Sequence, residues 1–211
     1  MKKIMMIITL GLMIMACGKQ ESIKKIGITQ IVEHPALDGA RDGFLKALED
    51  AGYKDGENLK IEYQNAQGDQ AVAQSIAESF VSDSKDLILA IATPTAQAAY
   101  NATKEIPVLI TAVTDPIQAG LAKSLEKSET NVTGTSDATP IDKQFALIRE
   151  LLPESKKVGI VYNTSELNSE VQVAQAKVIA QKYGLELVIK GVTSVNDLAQ
   201  VLDSLLKEVD V

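Results

Sequence analysis

From residue 24 onward, short runs rich in Ile, Val and Leu alternate with longer stretches whose apolar residues recur every three or four positions. That alternation predicts repeated β–α–β units on a parallel sheet. Lys24-Lys25-Ile26-Gly27-Ile28-Thr29-Gln30 reads as the first strand. A helix is expected over 36–51, with Phe44, Leu45 and Leu48 on one face and Gly52 just past its end. The second strand spans 58–63, with Leu59, Ile61 and Tyr63 expected inward. Asp69 reads as the N-cap of a helix over 69–81, where Val72, Ile76 and Phe80 fall at helical spacing. Residues 87–92 are continuously apolar, as a buried central strand should be. A helix over 95–103, a strand over 107–112 and a short extended piece over 131–135 follow.

Ser136-Asp137-Ala138-Thr139-Pro140 is a run of small and turn-forming residues, expected to separate two lobes. After it the pattern restarts: a helix over 141–152 closed by Pro153, a strand over 157–162, a helix over 166–183 stopped by Gly184, and a strand over 185–190. An amphipathic helix over 194–208 carries Val195, Leu198, Val201, Leu202 and Leu205, and Val209-Asp210-Val211 reads as the entrance to another strand. The fold class expected is α/β, with one lobe over 24–135 and a second over 136–211. Two complete strands are few for an open sheet, so the second lobe is expected to be incomplete.

The first residues follow a different pattern. Lys2 and Lys3 precede Ile4 to Ala16, which are apolar apart from Thr9 and Gly11. Thirteen residues make a helix of roughly 20 Å, too short for a hydrocarbon core of about 30 Å. A charged start, an apolar middle and a small residue at the end describe a secretion signal over 1–16. Cys17, the only cysteine, follows Ala16 at once, and Ile14-Met15-Ala16-Cys17 resembles the lipobox of bacterial lipoproteins. The resemblance implies an acylated (palmitate-bearing) Cys17, a short tether over 17–23 and attachment to the lipid bilayer.

Removal of the leader leaves 195 residues, with 19 basic against 28 acidic ones and a formal charge of −9. An acidic chain without a Lys/Arg cluster is a poor partner for nucleic acid. At 45% apolar residues it can bury a core and is unlike a disordered composition. One cysteine cannot form a disulfide within the chain, and His34 is the lone histidine, which argues against a zinc or copper site. No metal and no cofactor is expected.

Parallel α/β sheets bind ligands beyond the carboxyl ends of their strands. The loops there collect hydroxyls, amides and carboxylates: Gln30 to Asp38, including His34 and Pro35, then Thr93, Pro94 and Thr95, then Thr114 and Asp115. Beyond the boundary come Asn163, Glu166, Asn168 and Ser169. Pro94 suits a first helical turn, and the free amides around Thr95 favour an anion such as a carboxylate, with hydroxyls of Thr93 or Thr95 adding hydrogen bonds. Thr93 capping its own helix is the competing reading. Asp115 and Glu166 are natural partners for a bound ammonium, although Asp115 before Pro116 also suits a turn and Glu166 a helix start. Asn163, Asn168 and Ser169 serve either as caps or as ligand contacts, and His34 either as structure or as a contact. No paired nucleophile and base, glycine-rich phosphate cradle or G-x-S-x-G elbow is present, so no catalytic residue is assigned and an enzyme is not expected.

The chain beyond the leader resembles the substrate-binding lipoproteins of ABC transporters of the tryptophan/tyrosine-binding type. The likeness lies in Gly27-Ile28-Thr29-Gln30, Glu33-His34-Pro35-Ala36-Leu37-Asp38, Ala92-Thr93-Pro94-Thr95-Ala96-Gln97 and Val113-Thr114-Asp115-Pro116. It continues in Asn131 to Asp137, in Gly159-Ile160-Val161-Tyr162-Asn163, and in Glu166, Asn168 and Ser169. The resemblance implies two Rossmann-like lobes of the type I periplasmic-binding-protein kind that close on an amino acid, aromatic or branched, and deliver it to a membrane permease. It implies that Thr93 and Thr95 hold the ligand carboxylate and that the Asp115, Asp137 and Glu166 regions hold its ammonium. Such a protein acts as a lipid-anchored monomer on the extracytoplasmic face of the cell membrane. An extracytoplasmic sensor that docks on a signalling receptor is the alternative. Family members usually continue for another hundred or so residues, which would complete the second lobe.

Overall fold

The structure is a computed structural model and describes residues 23–211; the leader and Cys17 lie outside the described residues. Five parallel strands form the first sheet: β1 (Lys24–Gln30), β2 (Leu59–Asn65), β3 (Leu87–Ile91), β4 (Val108–Val113) and β5 (Val132–Ser136), in the order β2-β1-β3-β4-β5. Helix α1 (Pro35–Asp50) covers one face, and α2 (Gln70–Ser82) and α3 (Thr93–Ala102) cover the other. The strand pleat sorts side chains between these layers. Ile26, Ile28, Leu89 and Ile91 pack with Phe44, Leu45 and Leu48 of α1, whereas Ile88, Ala90, Val108 and Ile110 pack with Ala73, Ile76, Ala77 and Phe80 of α2. Phe80 is fully buried and contributes about 1.5–3 kcal/mol by that burial. Gly27 is required beneath it, because a Cβ there would stand 2.5 Å from the ring.

The second sheet pairs β6 (Lys157–Asn163) with β7 (Glu186–Val192) in parallel. Helices α4 (Ile141–Leu151) and α5 (Leu167–Lys182) supply Ile141, Phe145, Ala176 and Ala180 to a core with Val158 and Leu185. Helix α6 (Leu198–Leu205) places Leu205 against Gly159, where a Cβ would meet its side chain at 2.9 Å. Arg149 of α4 fastens this lobe. Its guanidinium donates to the carbonyls of Tyr183 (2.9 and 2.8 Å), Gly184 (3.0 Å), Ser155 (2.7 Å) and Pro153 (3.1 Å). It thereby satisfies carbonyls at the end of α5 that the helix leaves open. Asp210 and Val211 pair with β6, since both backbone N–H groups donate to the Lys157 carbonyl (3.0 and 3.2 Å) and the Val211 carbonyl accepts from Gly159 (2.7 Å).

The strand–helix sequence follows the expected one, with element ends moved by one or two residues. Asp69 caps α2 as expected, its carboxylate accepting from the amides of Ala71 (2.7 Å) and Val72 (3.1 Å). Two side chains and one helix depart from expectation. Tyr63, expected inward, is 41% exposed. β2 is a sheet edge, and the ring instead carries the Arg41 guanidinium 4.8 Å from its centroid. Val72 is exposed because the buried stripe of α2 runs through Ala73, Ile76, Ala77 and Phe80. The helix expected over 194–208 splits into a 3-10 turn over Val195–Asp197, capped by Ser194, and the shorter α6. Of its five apolar positions only Leu205 is buried, and Val195 is 84% exposed.

Lys85 has a side chain only 5% exposed, held between the carboxylates of Glu62 and Asp83. The hydrogen bond from Lys85, with a second from Gln64, holds the Glu62 carboxyl below its ordinary value of 4.5. A lowered folded-state pKa means stability that is complete above the unfolded value and lost as pH falls through the folded one. Unfolding free energy should therefore decline as pH falls below about 4.5 and Glu62 takes up its proton. Glu62→Gln, which cannot titrate, should be less stable at pH 7 and show a shallower acid decline; urea melts from pH 7 down into the acid range read both.

Candidate functional site

In the first sheet β1 pairs with β2 on one side and β3 on the other, so the chain leaves the carboxyl ends of β1 and β3 in opposite directions. The crevice opened there is where this topology binds ligands. Gln30 ends β1 opposite Ile91 of β3, which brings the loop 31–34 and the start of α3 to the same edge. Ala92, between β3 and α3, has φ 85° and ψ 158°, a conformation that costs a non-glycine residue about 1–3 kcal/mol. Its strain turns the chain straight into α3, and no side chain caps that helix. The amides of Thr93 and Thr95 are therefore without intrahelical acceptors, and Pro94 between them has none to offer. The Thr93 hydroxyl is buried and has no hydrogen-bond partner. An uncapped helix start with an unpaired hydroxyl beside it has hydrogen-bond donors to offer an anion.

Thr95 stands differently from expectation. Its hydroxyl donates to its own backbone, 2.7 Å from the Ile91 carbonyl and 3.0 Å from that of Ala92, so only its amide is free to donate. Asp115 is likewise committed locally. One carboxylate oxygen accepts from the amides of Ile117 (3.0 Å) and Gln118 (2.9 Å), and the other accepts from the Gln118 side chain (3.1 Å). That is the turn-forming role of an aspartate before proline. The Thr114 carbonyl accepts from Ser136 (2.9 Å), and the Asp137 amide donates to Val113 (3.1 Å), so the connection between the sheets is stitched to the end of β4. The Asp137 carboxylate makes no hydrogen bond among the described residues. β4 bends at this point, with Ala112 at φ 54° and the register broken between Ile110 and Val113. Gly134 on β5 is required opposite, because at φ 151° a Cβ would stand 2.0 Å from the Ile110 carbonyl oxygen.

Gln30 is fully buried, and its amide donates to the Val32 carbonyl and to Asp38, both at 2.8 Å; Asp38 in turn accepts from Arg41 at 3.2 Å. Gln30 thus ties the loop after β1 to α1, while its side-chain oxygen is buried without a partner. His34 caps α1, its Nδ1 accepting from Ala36 at 3.2 Å, and Pro35 opens the helix. Arg41, which links Asp38 to Tyr63, was not singled out from the sequence, since Tyr63 lies on β2, distant from it along the chain.

Across from these loops, Asn163 ends β6 and Glu166 begins α5. Asn163 donates to one Glu166 oxygen at 2.9 Å, and Asn168 approaches the other at 3.4 Å. Two neutral amides orient this carboxylate without neutralising it. Ser169 donates its amide to the Glu166 carbonyl at 3.1 Å, and the Asn168 side-chain oxygen is buried without a partner. Residues of α3 come within 8 Å of α5 between Cα atoms, so the two lobes approach each other through these helices. A groove of about 560 Å³ also lies inside the second lobe, lined by Ile141, Phe145, Ile148, Val158 and Ile160 with Asn163 and Ser169. It carries no charged side chain and so offers a zwitterion nothing for either charge.

Residues 25–211 match the family of ABC transporter substrate binding proteins. A tyrosine-binding protein of Clostridioides difficile is 57% identical over 188 residues, which are 89% of this chain and 54% of that protein. The solved ABC domain from Streptococcus pneumonia in complex with L-Trp is 41% identical and superposes with a TM-score of 0.85, over 90% of this chain and 64% of that one. The ligand-free, open structure of a substrate-binding protein from Clostridium difficile is 57% identical, yet superposes at only 0.64 over 89% of this chain and 64% of that one. The chain thus spans 54% of the curated relative and 64% of the solved chains. A score of 0.85 over nine-tenths of the chain requires both lobes to sit as they do in the L-Trp complex. The two lobes on parallel sheets are those of the type I periplasmic binding proteins. The chain belongs to the ABC transporter substrate binding protein family.

Proposed function

We propose that this chain is the ligand-gripping part of an extracytoplasmic solute receptor for an ABC importer, and that its ligand is an aromatic amino acid, tyrosine or tryptophan. The observation that carries the reading is the start of α3: free amides at Thr93 and Thr95 and a buried Thr93 hydroxyl with no partner, at the switch point of the sheet. The ligand carboxylate sits there. Glu166, oriented by Asn163 and Asn168, receives the ammonium from the other lobe, and Asp137 adds negative charge from the connection between them. With Asp115 held in its own turn, the ammonium contact falls to Glu166. The relatives that bind tyrosine and tryptophan support an aromatic side chain over a branched one. Cys17, acylated after removal of residues 1–16, tethers the receptor as a monomer to the membrane that holds its permease.

Thermal melts of the full-length protein against the twenty amino acids should show a rise in Tm for L-tyrosine or L-tryptophan, reaching about 2.7 kcal/mol of added stability at 100 times Kd. Analogues lacking the carboxylate or the amine should give none, and a panel without any shift would refute the proposal. Thr93→Val should weaken binding by about 1.5–3 kcal/mol, roughly 10- to 150-fold in Kd, as expected for a hydrogen bond to a charged group. Glu166→Gln should weaken it comparably, whereas Asp115→Asn should leave Kd near that of the parent. Isothermal titration separates these outcomes.

The tether has its own test. Cys17→Ser should abolish incorporation of labelled palmitate and move the protein from the detergent phase to the aqueous phase in a phase-separation assay. Retention in the detergent phase would show that something other than the acyl chain holds it.

A further inference from the structure

One hydrogen bond joins the lobes away from the helix starts that face the ligand: the Gln70 side-chain amide donates to the backbone carbonyl of Ser165. Both ends are held in place. Gln70 is the first residue of α2, whose start is fixed by the Asp69 cap, and the turn before it is tied to β1 through Gly68 donating to the Ile31 carbonyl at 2.7 Å. Ser165 is fixed by Asn163, whose side-chain oxygen accepts from the Ser165 amide at 3.0 Å and from its hydroxyl at 2.7 Å. With both donors of Ser165 used inside the loop, its carbonyl is left pointing outward as an acceptor. The same Asn163 orients Glu166 through its other side-chain atom, so one loop carries both the acceptor for Gln70 and the carboxylate facing the cleft.

We infer that Gln70 and the Ser165 carbonyl form a latch that exists only when the lobes are closed and that sets how long a bound ligand is retained. The inference rests on the proposed ligand-binding role. The latch joins groups on two bodies, and a hydrogen bond weakens steeply beyond about 3.5 Å, so a hinge opening of a few ångströms removes it entirely. A contact made only in the closed state shifts the open–closed balance and hence the apparent affinity, although it never touches the ligand. Gln70 is on this account a positioning residue. A ligand on Glu166 steadies Asn163 and thereby the acceptor, so occupancy and latching reinforce each other.

Stopped-flow binding of tyrosine or tryptophan to the full-length protein tests it. Gln70→Ala should raise the dissociation rate by about two- to tenfold and leave the association rate and the urea midpoint nearly unchanged. Gln70→Lys, which keeps a donor on a side chain one bond longer and able to fold back to the carbonyl, should restore slow release, and Gln70→Glu, which sets a carboxylate against a carbonyl, should release faster than Gln70→Ala. A second readout needs no ligand. Spin labels placed at the exposed Leu125 and Val178, one on each lobe, in a Cys17→Ser background report the interlobe distance by pulsed electron resonance. Gln70→Ala should shift that distribution toward longer distances. An unchanged dissociation rate and distance distribution in Gln70→Ala would overturn the latch, as would failure of Gln70→Lys to restore the parent behaviour. Should the parent bind no amino acid, the ligand assignment fails, while the distance measurement still decides the latch.

Discussion

The pairing of β1 with both β2 and β3 is the constraint on which the remaining architecture depends. Because β1 lies between its two successors, the connections leaving β1 and β3 run to opposite faces, and their divergence opens a polar crevice at the sheet's carboxyl edge. What gives that edge chemistry is local: the strained Ala92, the uncapped start of α3, and the Gln30 side chain reaching forward to Val32 and Asp38. The apolar layers beneath are ordinary in composition. Their role is to fix the strand ends so that unsatisfied amides stand in one place rather than being distributed over the surface.

Charge is handled with corresponding economy. Most carboxylates are tied to nearby amides or cations, as Asp69, Asp115 and Asp210 are to backbone N–H groups and Glu62 is to Lys85. Glu166 differs, since its partners are the side-chain amides of Asn163 and Asn168, which fix its orientation and carry no charge.

Much of this could be read from the chain because the controlling signals are short-range. Asp69, Pro94, Pro153 and Gly184 each govern a helix end within a turn of themselves, so the element order follows directly from them. Burial was less legible where it depends on partners distant in sequence. Tyr63 is exposed because β2 has no outer neighbour, and Val72 because α2 is rotated toward Phe80, neither of which periodicity encodes. At the candidate site, residue types pointed to the loops at the strand ends, but the internal use of the Thr95 hydroxyl and the Asp115 carboxylate depends on rotamers that sequence does not carry. Arg149 and Gln70 escaped notice for the same reason: their acceptors are backbone carbonyls, which every residue possesses.

Ala92 offers a last consequence. A residue at φ 85° and ψ 158° is in territory that glycine enters freely, so the simplest stabilising exchange in this molecule is a loss of one methyl group at the base of the crevice. The same exchange would loosen the turn that aims α3. Rigidity at the crevice and resilience of the whole fold are therefore set against each other in a single side chain. Selection for heat tolerance would be expected to find its gains at other positions first.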